Sequence, residues 1–318
     1  MNEFEIIDRY FAVDSGKRKD VLKGIGDDCA LLKVPRGQRL AVSMDTLISG
    51  VHFLPETNAA DVAHKAVAVN LSDLSAAGAE PAWITLSMTL PEYNEDWLES
   101  FHIGLKRIVN FFGVQVVGGD TCRGPLSITI QAHGFVPETV FHTRSGAQPG
   151  QLICVTGPIG DAALGLKVAQ NELQVPPNVA SQLLKKYFTP YPKIAAGIAL
   201  RGRASAVIDI SDGLLADVFH ISESSNVGAL LRWDKIPLSA AAQTIDDKIL
   251  LKKAVLSGGD DYELCFTVNE DDLEATRHAL ETVGNECIPI GRLTGKSGVK
   301  ILDNKQEMTF DELGYTHF

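Results

Sequence analysis

The chain predicts a two-domain fold that mixes α and β in both halves, on three observations. Its 318 residues exceed the ~250–300 at which a single hydrophobic core stops growing. Stretches with helical and strand character follow one another along the whole length. Near residue 146 the texture changes, and the segment SGAQPG reads as a boundary loop. The predicted domains span 1–145 and 146–318.

The elements follow in order. Residues 3–12 form a short amphipathic helix with Phe4, Ile7 and Phe11 on one side. Cys29–Val34 and Leu40–Met44 are apolar runs of strand length. Ala59–Ala79, rich in Ala, Val and Leu and closed by Gly78 and Pro81, is the strongest helix. Trp83–Leu90 is a strand. Asn94–Phe112 is a helix stopped at Gly113. Val114–Val117 and Leu126–Val136 are further strands. In the second half, Leu152–Thr156 is a strand and Gly160–Gln170 a helix that NELQVPPN breaks. Two helical stretches flank Pro190 and Pro192. Ala206–Ile210 and Tyr262–Val268 are strands, followed by helices at Leu214–Glu223 and Asp271–Val283. There is no tandem repeat and no low-complexity tract.

Composition narrows the function. Forty acids against 29 bases give a net charge of −11, which argues against nucleic acid, whose phosphates need a basic footprint. No apolar run approaches the ~20 residues of a membrane span. The start, MNEFEIIDRY, carries acids where a signal peptide needs bases. The five cysteines are scattered without a CxxC, so a zinc cluster or disulfide framework is disfavoured and a reducing, cytoplasmic setting is expected. Cys29 and Cys122 read as packing residues.

Familiar phosphate motifs are missing. GRLTGKS (291–297) has three residues between its glycines where a P-loop needs four, and it reads as a surface turn. No protein-kinase set, GxGxxG after a strand, HExxH or GxSxG occurs.

Instead, six segments share small residues, glycines and aspartates: GIGDDCA (24–30), SMDTLISGVHF (43–53), NLSDLSAAG (70–78), GGDTCRG (118–124), IDISDGLLAD (208–217) and SGGDDYE (257–263). They hold eleven carboxylates and one base, Arg123. Carboxylates beside apolar strands need a counter-charge. Magnesium supplies one, because it binds through a few carboxylates plus substrate phosphates. Each residue also has an ordinary reading. Asp73 shares a helix face with Val69, Asn70, Ala76 and Ala77; it is either partly wet or a metal ligand. Asp45 and Asp120 follow apolar strands, where α/β folds place ligands. Gly118 and Gly119 let a phosphate approach the backbone closely. Asp27 and Asp28 also fit a turn. Asp212, with Asp209 and Ser211, also fits a helix N-cap. His52 is a half-buried structural histidine or a ligand contact. Arg144 lies in a polar, solvated loop.

Taken together and in order, GIGDDCA, SMDTLISGVHF, NLSDLSAAGAEP, GGDTCRGP, DISDGL and SGGDDYELCFT closely resemble the thiamine-monophosphate kinases. That family is a branch of the superfamily containing aminoimidazole ribonucleotide synthetase and selenophosphate synthetase. The similarity runs from the first helix to the final GYTHF. It implies an N-terminal α/β domain of the aminoimidazole ribonucleotide synthetase type, whose sheet pairs with a second subunit in a homodimer, and a C-terminal α+β domain. It implies that ATP and thiamine monophosphate give ADP and thiamine diphosphate. By motif, Asp28, Ser43, Met44 (through its backbone), Asp45, Asp73, Asp120, Asp209 and Asp212 are the expected ligands of several magnesium ions. Gly119, Asp120, Arg144 and Ser211 are expected at ATP. His52, Asp260 and Tyr315 are expected at the thiamine phosphate, with Asp260 standing where many relatives have Glu. Asp45, Asp120 and Asp212 are the expected catalytic aspartates. The rival readings are another ATP-dependent enzyme of the superfamily, a non-catalytic nucleotide sensor and a metallophosphohydrolase.

Overall fold

A computed structural model describes residues 3–11, 18–304, 306–309 and 314–315. The chain separates into two compact units. The first comprises Met1–Leu74 and Ala79–Thr139; the second comprises Ser75–Gly78 and Val140–Phe318.

The first unit contains α1 (Glu3–Ile6), β1 (Val21–Lys23), β2 (Leu31–Leu32), β3 (Gln38–Ile48), α2 (Ala59–Ala76), β4 (Glu80–Leu90), α3 (Glu95–Phe112), β5 (Gln115–Arg123) and β6 (Ser127–Pro137). The expected first helix is one α-turn that widens into a π-helix over Ile7–Phe11. Its predicted contact through Phe4 and its end at residue 12 lie outside what is described. The main sheet runs β3-β6-β4-β5, antiparallel except for β4 with β5. Strands β3 and β5 are longer than predicted, so Asp45 and Asp120 lie inside strands rather than after them. The apolar run predicts only the dry part of each strand, while pairing continues through polar residues.

Helix α3 shows the clearest local encoding. Asn94 accepts the Trp97 N–H at 3.0 Å as N-cap, and Gly113 closes the helix at φ 65°. Gly104 on its buried side sits so close to α2 that a Cβ would lie 2.2 Å from the Ala60 carbonyl oxygen. The β1–β2 hairpin is strapped over the sheet by Asp20, which accepts from Trp83 Nε1 at 3.0 Å and from Arg18 Nη2 at 2.7 Å. Beneath it, Val21, Ala30 and Leu32 pack on Trp83, Val117 and Phe135.

The second unit contains β7 (Leu152–Val155), α4 (Asp161–Ala169), α5 (Pro177–Phe188), α6 (Ile194–Ala199), β8 (Ala206–Asp209), α7 (Leu214–Ser225), β9 (Gly228–Arg232), α8 (Ala240–Gln243), α9 (Lys248–Ser257), β10 (Leu264–Val268), α10 (Leu273–Glu281), β11 (Ile288–Thr294), β12 (Gly298–Asp303) and β13 (Gln306–Glu307). Among the described residues its sheet runs β13-β12-β9-β11-β7-β10-β8. Only β9 and β12 pair in parallel. Strands β7, β8 and β10 are buried on both faces, between one cluster around Ile153, Ile208 and Cys265 and another around Cys154, Val207 and Phe266. Strands β1, β9 and β11–β13 and helices α8 and α9 are not among the elements expected from the sequence. The segment 291–297, expected to be a surface turn, instead contributes Gly291–Thr294 to the end of β11 inside the sheet.

A buried polar knot ties β10 to the start of α4. Glu263, 1% exposed, accepts from Thr156 Oγ1 at 2.7 Å and pairs with Lys193 Nζ at 2.9 Å. Asp261 accepts the Gly160 N–H with both oxygens at 2.9 Å, at the N-terminus of α4. Burial pushes the Asp261 carboxyl well above the usual carboxylate range; the Gly160 bond opposes this and the charge of Asp161 adds to it.

Two stability predictions follow from these contacts. Asn94→Ala should cost about 1 kcal/mol in urea denaturation; an unchanged midpoint would remove the cap from the account. Because the folded pKa of Asp261 is raised, its favourable contribution is complete below the unfolded pKa near ~3.9 and is lost as pH rises through the folded value. Asp261→Asn keeps an acceptor for Gly160 and does not titrate. Its stability relative to the parent should therefore improve as pH rises above about 4. A pH-independent difference would show that Asp261 does not titrate on unfolding.

Candidate active site

In the first unit, acids gather at two places. On β3 and α2, the Ser43 hydroxyl donates to Asp73 Oδ2, and the Asp45 N–H donates to Asn70 Oδ1 at 3.0 Å. Asp73 is half-buried on a helix whose neighbours Leu71, Ser72 and Leu74 are buried. The alternation of β3 turns Ser43 and Asp45 to the same side as buried Leu47 and leaves Met44 61% exposed on the other. His52 closes the following turn, with its Nδ1 accepting the Ile48 N–H at 3.0 Å.

The second place is a cavity of about 640 Å³ lined by Asp27, Asp28 and Gly118 through Thr121, with Ile7 and Phe11. The hairpin strap delivers the first pair and β5 the second. At Gly119 a Cβ would lie 1.8 Å from the Leu86 carbonyl oxygen, so only glycine fits. Asp27 pairs with Lys23 at 3.3 Å. Cys29 and Cys122 are exposed, not packed as expected, because both belong to these open segments.

Sheet order separates the two places. Asp45 pairs with Ile130, Ile130 with Leu86, and Leu86 with Gly119. Three strand spacings put Asp45 and Asp120 on opposite edges, roughly 14 Å apart. That is too far for the two carboxylates of one chain to reach a single ion.

In the second unit, the segment Asp209–Gly213 is clamped from three sides. Its Ser211 and Ile210 carbonyls accept the N–H groups of Asp260 and Tyr262, both at 2.8 Å, and its Asp212 carbonyl accepts that of Tyr315 at 3.0 Å. Gly213 packs within 2.9 Å of the Ser257 backbone and Gly259 within 2.4 Å of the Ser211 oxygen, measured to an added Cβ. Asp217 Oδ2 accepts the N–H groups of Ser211, Asp212 and Gly213 at 3.1–3.2 Å. Asp212 does not have the N-cap role weighed for it: Gly213 stands at the N-cap of α7 without a side-chain cap, and Asp217 folds back to accept the loop's N–H groups. Burial first, then the charges of Asp209 and Asp212, push the Asp217 carboxyl well above its usual range. Arg144 is exposed in its loop, as expected. Tyr315 is 48% exposed and borders a cavity of about 370 Å³ with Leu166, Leu250 and Ala254.

The scarcity of bases is less complete than the sequence suggests. Glu263 is neutralised by Lys193 and Asp27 by Lys23, so neither needs a metal. Lys193 carries no sequence signal, since it lies 70 residues away. The Asp217 contact was legible in principle, as an acid one turn beyond an Asp-Gly pair. Among the described residues no three His, Cys, Asp or Glu side chains converge closely enough to hold an ion alone. Pairs of hard oxygens, Ser43 with Asp73 and Asp209 near Asp212, suit an ion that takes one or two carboxylates and completes its shell with phosphates and water.

Comparison with known proteins places the chain. The family model for the AIR synthase related protein N-terminal domain matches residues 26–136, and that for the C-terminal domain matches 148–304. The thiamine-monophosphate kinase of Salmonella typhimurium (strain LT2) is 49% identical over 319 residues, covering 99% of this chain and 98% of the relative. The crystal structure of thiamine-monophosphate kinase from Stenotrophomonas maltophilia K279a is 41% identical, with a TM-score of 0.87 over 95% of this chain and 96% of that one. A solved structure of AaThiL complexed with AMPPCP and TMP is 29% identical, with a TM-score of 0.80 over 90% of this chain and 89% of that one. The chain therefore belongs to the thiamine-monophosphate kinases of the AIR synthase related family.

Proposed function

We infer that this chain transfers the γ-phosphoryl group of ATP directly to thiamine monophosphate, giving thiamine diphosphate and ADP. The observation that carries this is its full-length relation, at 49% identity, to a thiamine-monophosphate kinase. The clustered carboxylates described above support it. The acceptor is a phosphate monoester, largely ionised near pH 7, so no strong general base is required. Two anions must meet, and positioning and charge neutralisation dominate such a barrier.

Ser43, Asp45 and Asp73, with the Met44 carbonyl, would hold magnesium on one side of the first unit. Asp28 and Asp120 would hold it at the cavity, and Asp209 and Asp212 in the second unit. Magnesium, when bound, supplies positive charge between donor and acceptor phosphates. Asp45 and Asp120, on opposite edges of the sheet, would serve different ions. Gly119, Arg144 and Ser211 serve ATP: the glycine opens the backbone and the arginine offers a charged fork. His52, Asp260 and Tyr315 meet the thiamine phosphate, Tyr315 from the rim of the smaller cavity, whose lining includes Lys167 and Lys253.

The enzyme would act as a homodimer. Leu40, Val42, Met44 and Ile48 stand exposed in a row on one face of the edge strand β3, an apolar surface that a second copy would cover. No helix among the described residues is long and apolar enough to cross a membrane, which fits a cytoplasmic setting.

Product analysis with Mg·ATP and thiamine monophosphate should show diphosphate formation that needs the metal and ignores free thiamine. Retained ATP binding without diphosphate would move the reading to another acceptor. Asp45→Asn and Asp120→Asn should each lower kcat by ~10²–10³ with unchanged circular dichroism; near-normal turnover would exclude the residue concerned. Val42→Glu should shift the species seen by light scattering from dimer to monomer, and an unshifted mass would place the interface elsewhere.

A further inference from the structure

The loop joining α9 to β10 carries an unusual backbone. Gly259, Asp260 and Tyr262 have φ of 71°, 63° and 52°. Aspartate tolerates the left-handed region, but a bulky tyrosine there is a genuine outlier. Such conformations persist where the surroundings over-determine them, and they cluster at functional sites.

Here the restraints are explicit. The Asp260 and Tyr262 N–H groups donate to Ser211 and Ile210, both at 2.8 Å, and the Ile210 N–H donates to the Glu263 carbonyl at 2.8 Å. The Glu263 side chain is fixed by Thr156 and Lys193. The segment thus has no room to relax at either end. It brings two side chains together: the Tyr262 hydroxyl donates to Asp260 Oδ1 at 2.7 Å. Tyr262 is buried, at 7% exposure, while Asp260 is half-buried and reaches solvent.

We propose that Tyr262 is a positioning residue for substrate binding: held in a left-handed conformation, it uses its phenol to fix the direction of the Asp260 carboxylate toward the cationic ring of the acceptor. This rests on the reading of Asp260 as a substrate contact. Nothing in the packing of an apolar core requires the hydroxyl, since a phenyl ring would fill the same space. The hydroxyl instead removes the rotational freedom of a short acid that must meet a delocalised positive charge at a defined angle.

The test is steady-state kinetics of the full chain with Tyr262→Phe, Asp260→Asn and the double variant. Tyr262→Phe should raise the KM for thiamine monophosphate roughly tenfold, the low end for a hydrogen bond to a charged group. The kcat and the KM for ATP should stay within about twofold, and the melting curve should be unchanged. In the Asp260→Asn background the same change should have no further effect, because the tyrosine acts only through the carboxylate. A parental KM in Tyr262→Phe, or an equal factor in both backgrounds, overturns the proposal and leaves Asp260 in place. A parental KM in Asp260→Asn removes Asp260 from the substrate site, and the role of Tyr262 with it.

Discussion

Carboxyl groups packed close to one another are the constraint around which this molecule is built. Asp217 lies 1% exposed within reach of Asp209 and Asp212, and Asp261 is buried near Asp161 and Glu263. Few lysines or arginines answer these acids. Most of the compensation comes from backbone N–H groups, three of them aimed at one oxygen of Asp217. Backbone N–H groups satisfy a carboxyl oxygen without occupying space with a cation.

Close backbone approach is the second half of the same design. A carbonyl can serve as an acceptor for a neighbouring loop only if the chains come within van der Waals contact. Gly119 against Leu86, Gly213 against Ser257 and Gly259 against Ser211 mark those approaches. In each case a methyl group would force the strands or loops apart and shift an adjacent acid. The glycines flanking the aspartates therefore belong to the mechanics of acid placement as much as to phosphate access.

Much of this was legible in the sequence, where local chemistry carries the signal. Asn94 and Gly113 delimit α3 to within a residue. The six aspartate segments are all where the acids gather. What was not legible depends on distant partners. The strands β9 and β12 pair in parallel across some 70 intervening residues, and neither is long or alternating enough to announce itself. The short helix α9 did carry a signal, Asp247 capping Ile249 and Leu250, which a reading by apolar periodicity alone passes over. Strand bounds at Asp45 and Asp120 were misplaced because hydrophobicity ends before pairing does. The neutralisation of Glu263 by Lys193, and the turn of Tyr262 toward Asp260, are set by tertiary geometry; composition cannot express them.

The exposed Cys29 and Cys122 have a practical meaning. One follows Asp28 directly and the other lies two residues beyond Asp120, while Cys154, Cys265 and Cys287 are buried. A thiol reagent applied to the native chain will therefore discriminate between the two groups without engineering. A fluorophore carried on either exposed sulfur stands beside the acids lining the larger cavity. The molecule thus comes equipped with attachment points from which any change at that cavity can be watched as a change in light emission.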